Sequence, residues 1–479
     1  MDKQNTEVLI IGGGPGGRIS YAILKNFGVE NVRLVANEEP TVICSLPYGV
    51  GRRLVPGGPE AVVVDLAKEA RVPKSILTDL ILGNAISLDM ARREALVRTN
   101  DNKEMMIAFK KLILAVGAVP WVPQTPGTLK DDGPFMGTGI LYGNDWVDKG
   151  RLADNVYVMR GAPDARRLDE LAKKGKSAVV VGSGAIGLEV LEALYDRGMK
   201  VTLLEVLDHL AVALDADVAG EVEKRVLQKG VSVYKGKGAI VKKINKDSVE
   251  LENGTTIPCD GIVFSTGVRP DLRLAREAGI KVERGIVVDA GMKTSAEGVY
   301  AIGDAAQITD GATGLQLLPL VGTLSMRHAV TAASDIAGRP IPLSAATVWG
   351  VSSIFELSWG SVGWTVEIAQ RSGIPVTSVV LPIHTRDEIM PKAKPGIWKL
   401  VIASAPFQEI KVGQILGFQV VQDEEPTLNL VERFIDIITH RETVMDLFGH
   451  YFIHNPYHNS VDDPYLNIFF QAMKVLGNG

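Results

Sequence analysis

The sequence predicts an α/β protein carrying two nucleotide folds of the Rossmann type, with further chain behind them. Three observations predict it. Near the N-terminus a short apolar run meets a G-x-G-x-x-G turn and then a helical segment, and the same unit recurs in mid-chain. Two later apolar strands each end in a small residue and a glycine, as the closing strands of such folds do.

In the first unit, Glu7 to Ile11 reads "EVLII", a run of buried parallel-strand type. "GGGPGG" follows, placing Gly12, Gly14 and Gly17 in motif spacing, and then the helical "RISYAILKNFG". Glycine suits a tight turn, a backbone close to a pyrophosphate and a helix packed near the strand; the helix N-terminus then offers amide donors to phosphate. The next strand, "NVRLVAN", ends in Ala36 where a ribose-binding acid is expected, and Glu38, two residues on, is the expected substitute. Taken alone, a glycine-rich turn without function reads the same way.

The second unit removes that ambiguity. Strand Ala178 to Val181 leads into Gly182, Gly184 and Gly187, a helix, and "KVTLLE" ending in Glu205, 18 residues past Gly187. A carboxylate there accepts from an adenosine 2′-hydroxyl and repels a 2′-phosphate. Val206 and Leu207 bring no arginine to hold such a phosphate, so NADH is expected over NADPH.

The closing segments are "KKLILAVGAVP", containing Gly117, and "CDGIVFSTGVRPD", containing Gly267. "TSAEGVYAIGDAAQI" then gives strand Val299 to Ile302 and Gly303-Asp304 at an expected turn into a helix. Asp304 there can hydrogen-bond a polyol such as a flavin's ribityl chain. A role as helix N-cap is compatible with that.

At 479 residues the chain should form about two to four domains. Its 51 basic and 56 acidic residues leave no electrostatic footprint for nucleic acid or an anionic membrane. The N-terminus runs straight into a strand, and no apolar run reaches the ~18 residues of a membrane span. Two cysteines, Cys44 and Cys259, exclude a disulfide framework. A soluble, cytoplasmic, thiol-reducing setting is expected.

In order and at workable distances, "GGGPGG", "LILAVGA", "VVVGSGAIGLE", "VFSTGVRPD" and "VYAIGDAA" resemble the pyridine nucleotide–disulfide oxidoreductase family over essentially the whole chain. The resemblance implies that Gly12, Gly14, Gly17, Glu38, Gly303 and Asp304 hold FAD, with Gly117 and Gly267 at the ends of the closing strands. It implies that Gly182, Gly184, Gly187 and Glu205 hold the nicotinamide cofactor, with Glu189 near the flavin where the nicotinamide docks. It also implies a split FAD domain (1–149 and 273–342), an inserted NAD domain (150–272), and a C-terminal α+β dimerisation domain (343–479) giving a homodimer. In that last part, "VSSIFELSWGSVGWTVEIAQRSG" reads as two strands and a helix, "WKLVIASAPFQEIKVGQILGFQVV" as a hairpin, and "NLVERFIDIITHRETVMDLFG" as one amphipathic helix.

Many relatives carry a C-x-x-x-x-C redox pair. Here the residues five positions either side of Cys44 are Glu39 and Gly49. "CSLPYGVG" instead resembles the single-cysteine branch: coenzyme A disulfide reductases, polysulfide and persulfide reductases, NADH oxidases and peroxidases. Pro47 suits a first helical turn, so Cys44 is expected just before a helix N-terminus, its thiolate stabilised by the dipole and by Arg52 and Arg53. A buried structural cysteine is the plain alternative, and it is the expectation for Cys259. Pro15 stands where the oxidases and peroxidases carry an active histidine, which argues against oxygen or peroxide as acceptor. His454 stands where coenzyme A disulfide reductases bring a partner-subunit tyrosine, so a general acid to the leaving thiol is expected of it, with His458 second. Ile389 and Met390 replace the other tyrosine, and no metal site is expected. The implied activity is NAD(P)H-dependent, FAD-mediated reduction of an S–S bond in a small disulfide, persulfide or polysulfide. The alternatives are an NADH-dependent reductase of a ferredoxin- or rubredoxin-like protein or a quinone, an NADH oxidase, and a flavin-binding sensor.

Overall fold

The protein is described from a computed structural model covering residues 2–423 and 427–477. Val8, Leu9 and Ile10 are fully buried because their strand lies inside a parallel sheet covered on both faces. Strand Asp2–Ile11 pairs with Val32–Ala36 on one side and Glu104–Leu114 on the other, and Val299–Ala301 extends the sheet beyond the latter. Glu94–Thr99 pairs antiparallel with Glu104–Leu114 and with Leu80–Asp89, and Leu80–Asp89 pairs parallel with Val32–Ala36, so the sheet closes on itself.

A second parallel sheet has the order Ser232–Lys235, Lys200–Glu205, Ser177–Val181, Gly261–Phe264, Val156–Val158. From Ser177–Val181 the chain builds first to one side and then to the other. The loops splay apart at that reversal, which is where open α/β sheets bind ligands. Ala118–Val122 and Val268–Pro270 pair antiparallel and link the two nucleotide folds. A third, antiparallel sheet joins Trp349–Ile354, Leu357–Gly363, Ile415–Asp423, Pro395–Ala403 and Val376–His384. The two strands, the helix Val366–Arg371 and the hairpin expected there all form.

Two local expectations are corrected. The turn at Gly303–Ala305 is a single 3₁₀ turn, and strand Ala306–Thr309 follows it in place of a helix. That segment finds strand partners in Ile286–Val287 and Gln316–Leu317, which outweighs continuing the turn. The C-terminal amphipathic segment splits into Leu428–Thr439 and Val444–Leu447. Arg441 adopts a left-handed φ of 57°, and Thr443 starts a new helix in a capping box with Asp446.

One hydrophobic core joins the second and third sheets around the segment after Cys44. Leu46 and Val50 are fully buried among Leu188, Leu191 and Leu194 of one neighbour and Ile354 and Trp359 of another. A buried polar cluster reinforces the contact. Lys399, 3% exposed, reaches Asp215 at 3.1 Å and Asp217 at 2.7 Å, while Gln419 Nε2 donates to Asp215. Removing one member of such a buried pair typically costs about 3–5 kcal/mol, so the domains are held in register.

Candidate active site

The two glycine loops have matching geometry. An added Cβ at Gly12 would lie 2.0 Å from the Ala115 carbonyl oxygen, and one at Gly17 would lie 1.9 Å from that of Gly12. At Gly182 and Gly187 the corresponding approaches are 2.4 Å to Ser265 and 2.0 Å to Gly182. Only a hydrogen fits at these four positions. Gly14 and Gly184 are the N-cap residues of helices Pro15–Asn26 and Ala185–Asp196, whose first amides are thereby left for phosphate, and Pro15 opens the first helix. Gly117, Gly267 and Gly303 all turn with positive φ at strand ends facing the loops.

Glu205 ends its strand and is 4% exposed. Ser183 donates to it from both backbone N and Oγ, and Leu207 N donates to its other oxygen. Three of about four acceptor positions are thus taken in shaping the loop, and the remainder is available to a ribose hydroxyl. On the first fold, Glu38 Oε2 is buried without a partner in the chain and lies against Gly161. Burial raises the Glu38 pKa, partly opposed by Lys149. An orphaned acceptor there fits a ribose-type hydroxyl donor. The residues present therefore suit one dinucleotide on each fold.

Cys44 occupies the 3₁₀ turn Ile43–Ser45, directly ahead of helix Leu46–Gly51, with Pro47 in its first turn. Cys44 is an exposed residue, whereas Cys259 is buried and its pKa pushed up to about 11 by burial. The helix that follows Cys44 is wedged tightly: a Cβ on Gly51 would lie 3.0 Å from Ala193 Cα. Although the residue is exposed, its thiol is flanked by enough protein that its pKa is raised, first by burial and then by Glu189.

The cation opposing that rise is Arg160, which corrects the expectation for Arg52 and Arg53. Arg52 pairs with Asp169 at 2.9 Å, and Arg53 pairs with Glu192 and with Asp196 at 3.1 Å, so both are already engaged. Arg160 is fixed by Nε donating to Ala118 O at 2.9 Å and by its own amide donating to Asp164. Its charge also acts on Glu38 and Asp304, and the Asp304 pKa is raised by burial. The Gly303 amide donates to Nδ1 of fully buried His328, whose pKa burial lowers to about 4. That imidazole is neutral and pins the turn.

Glu189 is where the three sheets' domains meet. It lies on helix Ala185–Asp196, accepts from Ser352 Oγ at 2.8 Å, and interacts with the Tyr48 phenol one helical turn beyond Cys44. Burial, the largest cause, raises its pKa to about 7, and the Ser352 and Tyr48 hydrogen bonds hold it from rising further. Neither Arg160 nor Ser352 was picked out from the sequence. Arg160 left a faint signal, a lone cation between strand Val156–Val158 and a Gly-Ala-Pro helix start. Ser352 lies 163 residues from Glu189 and left none.

His454 lies in the C-terminal segment, where Nδ1 faces Ser460 O at 3.2 Å and Nε2 lies 3.8 Å from Asp387. His458 is exposed on the same segment. Val461 N also donates to Asp387, so the 387–390 and 454–461 segments come together, with Ile389 90% exposed. Within one chain neither histidine contacts Cys44. Among the described residues no group of His, Cys, Asp and Glu has metal-binding geometry, and no helix is long and apolar enough to cross a membrane.

The sequence profile of the pyridine nucleotide-disulphide oxidoreductase family matches residues 6–335. A protein of Methanocaldococcus jannaschii named NADH oxidase is 27% identical over 485 residues, spanning 98% of this chain and 99% of that one. The NAD(P)H sulfur oxidoreductase (CoA-dependent) of Pyrococcus furiosus is 25% identical over 358 residues, 74% of each chain. The solved NAD-dependent persulfide reductase of A. fulgidus superposes with a TM-score of 0.83 at 25% identity, covering 99% of this chain and 84% of that one. With both dinucleotide cradles in place and the family profile spanning well over half its length, the chain belongs to the pyridine nucleotide-disulphide oxidoreductases, enzymes that work with FAD and NAD(P)H.

Proposed function

We infer that the protein reduces an S–S bond in a small disulfide, persulfide or polysulfide, using Cys44 as its single redox-active thiol. The observation carrying this reading is the accessibility of Cys44 at a helix N-terminus beside Glu189 and Arg160, while Cys259 is buried. No second thiol is at hand to form an internal disulfide, so the sulfur partner must come from the substrate. The names of the Pyrococcus and A. fulgidus relatives support sulfur as the acceptor.

The Cys44 thiolate attacks one sulfur of the substrate, forming a mixed disulfide or persulfide at Sγ and releasing the other sulfur as a thiolate. Two electrons then cleave the new S–S bond, returning the Cys44 thiolate and a second thiolate, and two protons complete the products. Those electrons would be supplied by bound FAD, with NADH as their source. Gly12, Gly14, Gly17, Glu38, Gly303 and Asp304 would hold the FAD; Gly182, Gly184, Gly187 and Glu205 would hold NADH. Glu189, with a pKa near neutrality, keeps a proton beside the thiol at the working pH. His454 is assigned, across a homodimer, as general acid to the departing thiolate. Pairing through residues 343–479 is supported by apolar side chains left in the open there, Ile389, Phe448 and Phe470 among them.

The decisive experiment is Cys44→Ser. Bound flavin and its reduction by NADH should be retained, and turnover with disulfide, coenzyme A persulfide and polysulfide should fall to background under anaerobic conditions. Full turnover in that variant refutes the assignment.

A further inference from the structure

We propose that Ser352 is a positioning residue for the Cys44 site: the first hairpin of the C-terminal domain carries its hydroxyl to Glu189 and fixes that carboxyl beside the thiol. Ser352 Oγ donates to Glu189 Oε1 at 2.8 Å across 163 residues of chain. This role rests on the reading that Glu189 serves the Cys44 thiol. Strand Trp349–Ile354 turns Ser352 and Ile354, two residues apart, to one face. Both are buried, and Ile354 packs in the core that holds Leu188 and Leu191, which flank Glu189 on its helix.

The turn that follows keeps that face in place. Phe355 and Glu356 have φ of 49° and 69°, a left-handed pair without glycine in the two-residue turn to Leu357. Such turns favour Asn-Gly, and bulkier side chains persist there only where the surroundings over-determine the backbone. Those surroundings come from the second nucleotide fold. The buried Phe355 ring meets Tyr195 edge-on at 4.9 Å, with the Lys229 ammonium 5.5 Å over it. Arg225 Nη1 donates to the Phe355 carbonyl, and the Phe355 amide donates to Glu192. Glu189, Glu192 and Tyr195 thus meet the hairpin on successive turns of one helix, and Ser352 cannot slide without breaking the contacts at the tip.

Glu189 is faced by Tyr48 and Cys44 from the segment of the thiol, by Glu192 on its own helix and by Ser352. Arg53 is paired with Glu192 and with Asp196. Burial is the main influence raising the Glu189 pKa; the Ser352 and Tyr48 hydrogen bonds oppose it, and Glu192 adds to it. A hydroxyl donor favours the ionised carboxylate. Taking Ser352 away should therefore let Glu189 keep its proton to higher pH. The thiol then ionises more easily, because burial and then the Glu189 charge are what raise the Cys44 pKa.

Thermal melts of the flavin-loaded protein across pH 5–9 test this, with Ser352 intact, as Ser352→Ala and as Ser352→Thr, each with and without Glu189→Gln. With Ser352 intact, the stability gained from Glu189→Gln should grow with pH and level off near pH 7. In Ser352→Ala it should go on growing and level off about one pH unit higher, the effect of losing one hydrogen bond to a charged group. Ser352→Thr keeps the hydroxyl and should restore the wild-type plateau. Iodoacetamide modification of Cys44 at pH 7.5 should quicken about twofold in Ser352→Ala, and not at all when Glu189→Gln is already present. A plateau unmoved by Ser352→Ala, a loss of melting temperature equal at every pH, or a Cys44 rate that rises as much in the Glu189→Gln background overturns the proposal. Neither readout needs turnover, so failure here and failure of the disulfide reaction are separately visible.

Discussion

Replacing Glu189 by Gln should remove a pH-dependent destabilisation set by the site itself. In the folded protein this carboxyl titrates at about 7, against 4.5 in an ordinary setting, because burial disfavours its charge. The sign follows from proton binding. Between pH 4.5 and 7 the folded state holds a proton that the unfolded state has already released, so stability falls as pH rises through that window and then levels off. At about 1.36 kcal/mol per tenfold change in acidity, the full effect is roughly 3 kcal/mol above pH 7. Gln cannot ionise, and its amide still accepts from Ser352. The variant should therefore match or trail the wild type at pH 5 and gain on it steadily up to pH 8. Thermal melts of both proteins with flavin bound, across pH 5–8.5, should show melting temperatures diverging by several degrees. Parallel curves with a constant offset would refute the idea that Glu189 holds its proton at neutral pH.

Two more expectations concern the thiol. Removing the Arg160 charge takes away the cation that lowers the Cys44 pKa, so Arg160→Gln should slow iodoacetamide modification of Cys44 severalfold at pH 8; an unchanged rate would exclude that influence. His454→Ala should cut disulfide turnover most at the acidic end of pH 5–9, because only a protonated imidazole can donate to the departing thiolate, while leaving NADH-driven flavin reduction untouched. Unchanged turnover across pH 5–9 removes His454 from the reaction.

The sequence alone determined the two nucleotide folds, since a buried strand, a turn admitting only glycine and a helix N-terminus are contiguous and their physics is local. It also determined that a helix starts just after Cys44, because Pro47 cannot sit deep inside one, and that no paired thiol accompanies that residue. Only the tertiary structure decided what surrounds that sulfur. Arg52 and Arg53, adjacent in sequence, turn away to Asp169, Glu192 and Asp196. Arg160, Glu189 and Ser352 arrive from two other parts of the chain because Leu46 and Val50 bury against both of them. Likewise, "GDAAQI" became turn and strand because its partner strands were available across the sheet. Charges and strand partners act through space, and proximity in space between distant residues is fixed by packing, which no local pattern records.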